Sequence, residues 1–119
     1  MRRLWSRFTV RQMAVAIAVI AIALASGIWL TRMGRLAGSY QQRAHQHVEE
    51  EREARRAVED ALAHIRRIAK YPEKDPMFRH LERLRDKNPR ADYHAAMKDK
   101  YELASRRPWQ PVTSDPPPP

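Results

Sequence analysis

A long uncharged segment near the N-terminus constrains this chain more than any other feature. No charged residue lies between Arg11 and Arg32, and Met13–Leu30 reads MAVAIAVIAIALASGIWL. Because a helix rises ~1.5 Å per residue, a helix of this length matches the ~30 Å hydrocarbon core of a bilayer. The segment is apolar on every side, whereas a helix on a soluble core needs only one apolar face. We therefore predict a transmembrane helix over residues 12–31, after a basic N-terminal segment at 1–11.

Residues typical of membrane interfaces flank this predicted helix. Thr9 and Gln12 have the spacing of a capping box, which would start a helix at the interface. Aromatic rings favour the headgroup region, and arginines extend toward lipid phosphates. We predict that five residues lie at the two interfaces: Trp5, Phe8, Arg11, Trp29 and Arg32.

A cleaved export signal is the alternative interpretation of the same segment. A basic start precedes the apolar run, and Ala23-Leu24-Ala25 has the small-residue pattern of a cleavage site. The run nevertheless stays apolar to Leu30, which favours an uncleaved signal anchor. Since more arginines precede the helix than closely follow it, the positive-inside rule favours a cytoplasmic N-terminus and a C-terminal domain outside.

Alanines within the predicted span recur at helical spacing. Ala14, Ala18, Ala21 and Ala25 fall on one face, and small residues let two membrane helices approach closely. This pattern predicts a helix-pairing face, although alanine as simple apolar filler explains it equally well. Gly34 and Gly38 lie just beyond the span, where we expect a flexible exit from the membrane.

The remainder of the chain predicts an all-α domain over residues 32–107. Helix-forming residues dominate from Leu36 to Tyr71, and Pro72 should end this first helix. Asp75-Pro76 and Asn88-Pro89 each combine an N-capping side chain with proline at the first helical position, so each should open a helix. We expect a long helix followed by a helical hairpin or three-helix cluster. The apolar seam of Val58–Ala69 is too short to establish a coiled coil.

Apolar and aromatic stripes indicate how these helices pack. Two stripes should form the core against the first helix: Met77, Phe78, Leu81 and Leu84, and then Tyr93, Met97, Tyr101 and Ala104.

The C-terminal segment, residues 108–119, is rich in proline and should be disordered or extended. Trp109, Pro111 and Val112 form the part of this tail that could bind a partner. An alternative is that Trp109 folds back onto the helices while the rest trails in solvent.

Residues able to do chemistry are few. The chain has no cysteine, and its three glycines form no phosphate-binding loop. His45 and His47 would point about 200° apart on a helix, so they should not share a metal ion. His94 is expected on a solvated helix face, and Asp60–His64 is expected to be structural. We predict no catalytic, cofactor-binding or metal-binding residues.

Short motifs at both ends resemble a known group of proteins. They are Arg7–Arg11 (RFTVR), Tyr93-His94-Ala95, Lys100-Tyr101 and Pro108–Val112 (PWQPV). Together they resemble small single-pass membrane proteins of planctomycete bacteria. The resemblance implies a single-pass protein of the bacterial cytoplasmic membrane, and it implies no activity.

The charge distribution leaves two classes of binding function open. All 14 acidic residues and most of the 23 Lys and Arg follow the apolar run, within a chain of net charge +9. A membrane-anchored scaffold would contact lipid and either an envelope protein or a second copy of itself. Alternatively, the basic domain would bind anionic lipid, envelope polymer or nucleic acid. Because acids are interleaved with the bases and no nucleic-acid motif is present, we favour the scaffold and do not expect nucleic acid.

Overall fold

The computed structural model describes residues 10–119, and over these residues the protein is all-α, as predicted. Its helices are α1 (Val10–Ile68), α2 (Pro76–Asp86) and α3 (Pro89–Arg106), with a 3-10 turn at Pro72–Lys74. Two compact units divide the chain, one up to Arg35 and one over Leu36–Pro119, and α1 contributes residues to both. The two units are described separately below.

The first unit contains the apolar part of α1. Every described side chain from Val10 to Arg32 is exposed, and no part of the apolar window is buried. By length and composition, α1 is the one helix in the described chain that could cross a membrane, and a signal sequence has the same features. The predicted capping residue Thr9 lies outside the described residues.

The structure differs from the sequence expectation at Gly34 and Gly38. We expected a flexible segment there, but α1 continues through both residues without interruption. Neither glycine has a positive φ angle, so both have ordinary helical backbone. A glycine costs a helix only about 1 kcal/mol relative to alanine, which good helix formers on either side can offset.

A small apolar core joins α1 to α2 in the second unit. Val58 and Leu62 of α1 pack with Phe78 of α2, and Leu62 is only 1% exposed. Three half-buried residues surround this cluster: Ile65, Leu81 and Leu84. Met77, which we predicted for the same apolar face, is instead exposed: its spacing places it near Leu81 and Leu84, but it lies in the first turn of α2.

Both predicted proline-containing helix starts are confirmed. The Asp75 carboxylate accepts a hydrogen bond from the Met77 amide at 2.8 Å, and the Asn88 side chain accepts one from the Ala91 amide at 3.1 Å. Pro76 and Pro89 occupy the first helical positions, where no amide is required. Helix α1 ends at Ile68, earlier than the predicted Tyr71, and Pro72 begins the 3-10 turn that follows.

Helix α3 runs antiparallel to the part of α1 that belongs to the same unit. Asn88 Nδ2 donates to the Ala54 carbonyl (3.3 Å), His94 lies against His47, and Tyr101 contacts Arg43. The α1 partners of these contacts are separated by about two helical turns and then by about one, so one face of α3 follows one face of α1. Residues on this face of α3 are buried: Ala91, His94, Met97, Tyr101 and Ala104. Tyr93 of the predicted stripe is half-buried beside them.

Candidate histidine–glutamate site

Three side chains from α1 and α3 bring their polar atoms together in the second unit. Glu50 Oε2 lies 3.2 Å from His47 Nδ1 and 3.0 Å from His94 Nδ1. The two Nδ1 atoms are themselves 3.1 Å apart. One carboxylate oxygen and two imidazole nitrogens therefore form a nearly equilateral triangle, which we call the His–Glu–His triangle.

Helix geometry explains why α1 supplies two members of this triangle. His47 and Glu50 are separated by one helical turn, so they lie on the same face of α1. His94 lies opposite, on the buried face of α3. The three side chains are buried to different degrees: that of His94 is 10% exposed, that of His47 is 19% exposed and that of Glu50 is 48% exposed. The carboxylate therefore faces solvent while the rings are held in the helix interface.

Aromatic rings hold the two imidazoles in place. The Tyr101 ring stacks on His47 with centroids 5.7 Å apart and planes 9° apart. Tyr93 meets the His94 ring edge-on at 5.3 Å. Such contacts restrict the rotation of both imidazoles, so their Nδ1 atoms stay directed at Glu50.

The C-terminal tail docks on α3 beside this site, so of the two predicted alternatives, extended or disordered, the disordered tail is not observed. Asp115 accepts hydrogen bonds from Lys100 Nζ and from the Tyr101 hydroxyl, each at 2.5 Å. Tyr93 donates from its hydroxyl to the Pro116 carbonyl at 3.0 Å. The tail has no helix or strand, but these three bonds order its path, because a carboxylate accepts strong bonds from a cation and a phenol.

The hydrogen bonds around the Asp115 carboxylate and the Tyr101 hydroxyl change the pKa values of the groups they join. Hydrogen bonds lower the pKa of Asp115 below its ordinary value; the bond from Lys100 has the largest effect, and the bond from Tyr101 has the next largest. The Tyr101 hydroxyl also accepts a bond from Arg43 Nη1 at 3.3 Å, and this bond raises the pKa of the guanidinium. Tyr101 therefore links α1, α3 and the tail.

Residues predicted for the membrane interface and helix pairing lie on α1 where the structure describes them. Trp5 and Phe8 fall outside the described residues. The others are exposed in the first unit: Arg11, Trp29, Arg32, Ala14, Ala18, Ala21 and Ala25. Their roles at a bilayer or between helices stay predictions.

The predicted partner-binding residues of the tail have different exposures. Trp109 is 59% exposed and Pro111 is also exposed, whereas Val112 is half-buried. The tail thus folds back through Asp115 and Pro116 rather than through Trp109. Trp109 and Pro111 remain accessible for contact with another molecule.

The sequence reasoning missed the His–Glu–His triangle. It is correct that His45 and His47 diverge, since His45 is exposed on α1. The expectation that His94 faces solvent is wrong, because the face of α3 that packs on α1 includes position 94. The one local signal was the single-turn spacing of His47 and Glu50, and nothing local indicated which distant residue would face them.

Comparisons of the chain with protein-family models, with curated proteins and with solved structures find no match. The coarse class is therefore set by the structure alone: an all-α protein with one candidate membrane span.

Proposed function

We propose that this protein is a single-pass membrane protein whose helical domain serves as an interaction module at the membrane surface. The observation that carries the proposal is the exposure of the apolar segment on all sides of α1. Ile20, Ile22 and Leu24 are 59%, 66% and 64% exposed. A soluble protein rarely leaves so large a continuous apolar surface in water, whereas lipid covers it at no such cost.

The proposed arrangement is an uncleaved signal anchor in a bacterial cytoplasmic membrane. Its N-terminus is cytoplasmic, and the domain over Leu36–Pro119 lies outside. Arg11 and Arg32 bracket the apolar segment at a separation that suits the two headgroup layers. This arrangement agrees with the topology implied by the resemblance to planctomycete membrane proteins, and lipid is its first partner.

An interaction role suits the surface of the domain better than binding to an anionic polymer. Along α1, Arg52 pairs with Glu49 at 2.9 Å and Arg55 pairs with Glu51 at 3.1 Å. Basic side chains on this face are therefore locally neutralised, which lowers their attraction for phosphate-rich ligands. The partner we propose is an envelope protein or a second copy of this chain, and we assign no catalytic step.

Reporter fusions test the topology. An enzyme that is active only outside the cytoplasm, fused after Pro119, should be active, while a reporter active only in the cytoplasm should be silent at that site. A fusion before Met1 should give the reverse pattern. Activity of the cytoplasmic reporter after Pro119 would overturn the proposed orientation.

Salt dependence separates the interaction role from electrostatic binding. Cross-linking of the full chain in its native membrane should trap a defined stoichiometric complex, with a yield that changes little between low and high salt. Retention on anionic vesicles that falls steeply with salt, without such a complex, would favour the electrostatic alternative.

A further inference from the structure

We propose that His47, Glu50 and His94 bind a divalent transition-metal ion of the zinc class. All three residues lie in the domain over Leu36–Pro119, so this site does not depend on the membrane anchor.

The spacing of the three polar atoms is that of ligands around one ion. Zinc-class ions bind imidazole nitrogen and carboxylate oxygen at about 2.0–2.1 Å, which places neighbouring ligands about 3.0 Å apart in an octahedral shell and about 3.4 Å apart in a tetrahedral one. The three separations in the triangle are 3.0, 3.1 and 3.2 Å. An ion seated above the triangle can therefore contact all three atoms after small adjustments of the side chains.

The donor types select the class of ion. Two imidazoles and one carboxylate suit zinc, cobalt, nickel and ferrous iron, whereas calcium and magnesium prefer shells made of oxygen. Three protein ligands also leave coordination positions open for water. Because the Glu50 side chain is 48% exposed, an ion can reach these positions from solvent.

Hydrogen bonds alone do not account well for the three close contacts of the His–Glu–His triangle. If both Nδ1 atoms carry hydrogen, each can donate to Glu50, but the two N–H groups then face each other across 3.1 Å. If only one carries hydrogen, at least one of the three close contacts has no proton between its atoms. A cation bonds to all three lone pairs at once and removes this conflict.

Such an ion would tie α3 to α1. His47 and Glu50 belong to α1, while His94 is supplied by α3. Because the three ligands assemble only in the folded domain, metal binding stabilises the fold by mass action. At a free ion concentration 100-fold above Kd, a domain of this size should gain roughly 10 °C or more in Tm.

The test uses the chelator-treated full chain in detergent micelles, titrated with Co²⁺ and then with Zn²⁺. We expect one Co²⁺ per chain with visible d–d absorption, displacement by Zn²⁺ and a rise in Tm. In long-range ¹H–¹⁵N spectra, the Nδ1 resonances of exactly two histidines should shift on Zn²⁺ binding, since Nδ1 is the coordinating atom.

Matched variants locate the ion. Glu50→Gln changes a half-exposed side chain, so it should keep the helical circular dichroism and should weaken Co²⁺ binding at least tenfold. His47→Ala and His94→Ala should abolish it. His45→Ala and His64→Ala each remove an exposed histidine of α1. Both variants should bind Co²⁺ as the unmodified chain does.

Two results would overturn the inference. One is the absence of stoichiometric binding at micromolar Co²⁺ and Zn²⁺ in a folded protein. The other is equal Co²⁺ affinity for the unmodified chain and folded Glu50→Gln, because the ion would then lie elsewhere.

Discussion

Asn88 holds the start of α3 with both polar atoms of its side chain. Its oxygen caps the helix at the Ala91 amide, and its nitrogen donates to the Ala54 carbonyl on α1. Replacing it with alanine leaves the Ala91 amide uncapped and removes the side-chain bond to the Ala54 carbonyl, at a residue that is 8% exposed. We expect Asn88→Ala to lower the free energy of unfolding by about 1–3 kcal/mol.

Circular dichroism during chemical unfolding of the full chain in detergent measures this change. Asn88→Ser is the matched control, because it keeps a capping oxygen and removes the amide that donates to Ala54. It should lie between the unmodified chain and Asn88→Ala. Equal stability of all three would show that neither hydrogen bond contributes.

Asp115 gives the docked tail a defined pH dependence. Lys100 and Tyr101 stabilise its carboxylate, so its pKa in the folded protein lies below the ordinary 3.8. A carboxyl group whose pKa is lower in the folded than in the unfolded protein stabilises the fold at pH values above its unfolded pKa. This stabilisation is lost as the pH falls through its folded pKa. The tail should therefore stay docked at neutral pH and detach only in acid below about pH 3.8.

Carbon-detected NMR of the Asp115 carboxyl measures this pKa directly. Lys100→Met should move it back toward the ordinary value, and Tyr101→Phe should move it less, because the bond from Lys100 has the larger effect. A carboxyl that titrates at its ordinary value in the unmodified chain would contradict the observed docking.

Among the secondary-structure elements, the starts of α2 and α3 were predictable from the sequence, whereas the continuity of α1 through Gly34 and Gly38 was not. Capping by Asp75 and Asn88 uses atoms within three residues, so the sequence contains the complete signal. Gly34 and Gly38 were misread because glycine has only a small helix penalty, which favourable neighbours on both sides can offset.

Continuity of α1 predicts the effect of removing a glycine. A Cβ at Gly38 would meet nothing within 4 Å, and the backbone there is helical. Gly38→Ala should therefore raise helix stability by about 0.5–1 kcal/mol, with a corresponding rise in Tm. Gly34→Ala should behave in the same way, whereas a fall in Tm or helicity would show that the chain needs flexibility here.

The packing of α2 on α1 depends strongly on one leucine. Leu62 is 1% exposed within the cluster that contains Val58 and Phe78. Leu62→Ala should cost about 2–5 kcal/mol, because it removes buried methyl groups and leaves a cavity. Leu103 is 56% exposed, so the same substitution there should cost less than about 1 kcal/mol. Similar losses in urea-unfolding measurements of the two variants would contradict this core assignment.

At the scale of the whole molecule, the features that could be predicted are those determined by residues close together in the sequence. The uncharged run, the proline-containing helix starts and the apolar seam of Val58–Ala69 each depend on neighbouring residues. The His–Glu–His triangle and the docking of Asp115 depend on how α3 registers against α1. Contacts between residues distant in sequence, such as His47 with His94, leave no local pattern from which they could be read.

Two parts of the chain have different requirements. The apolar segment of α1 needs an environment that covers it, while the domain over Leu36–Pro119 has its own core and an ordered tail. The proposed membrane insertion meets the first requirement, and Trp109 and Pro111 are exposed on the domain.

Alkaline extraction of cell membranes, combined with the intact mass of the protein recovered, tests membrane insertion most directly. We predict that the protein stays in the membrane pellet and that its mass shows the apolar segment retained, with no cleavage after Ala25. Leu24→Arg, placed in the middle of the apolar segment, should shift protein toward the supernatant. Release of the unmodified chain by alkali, or a mass showing cleavage after Ala25, would contradict the account.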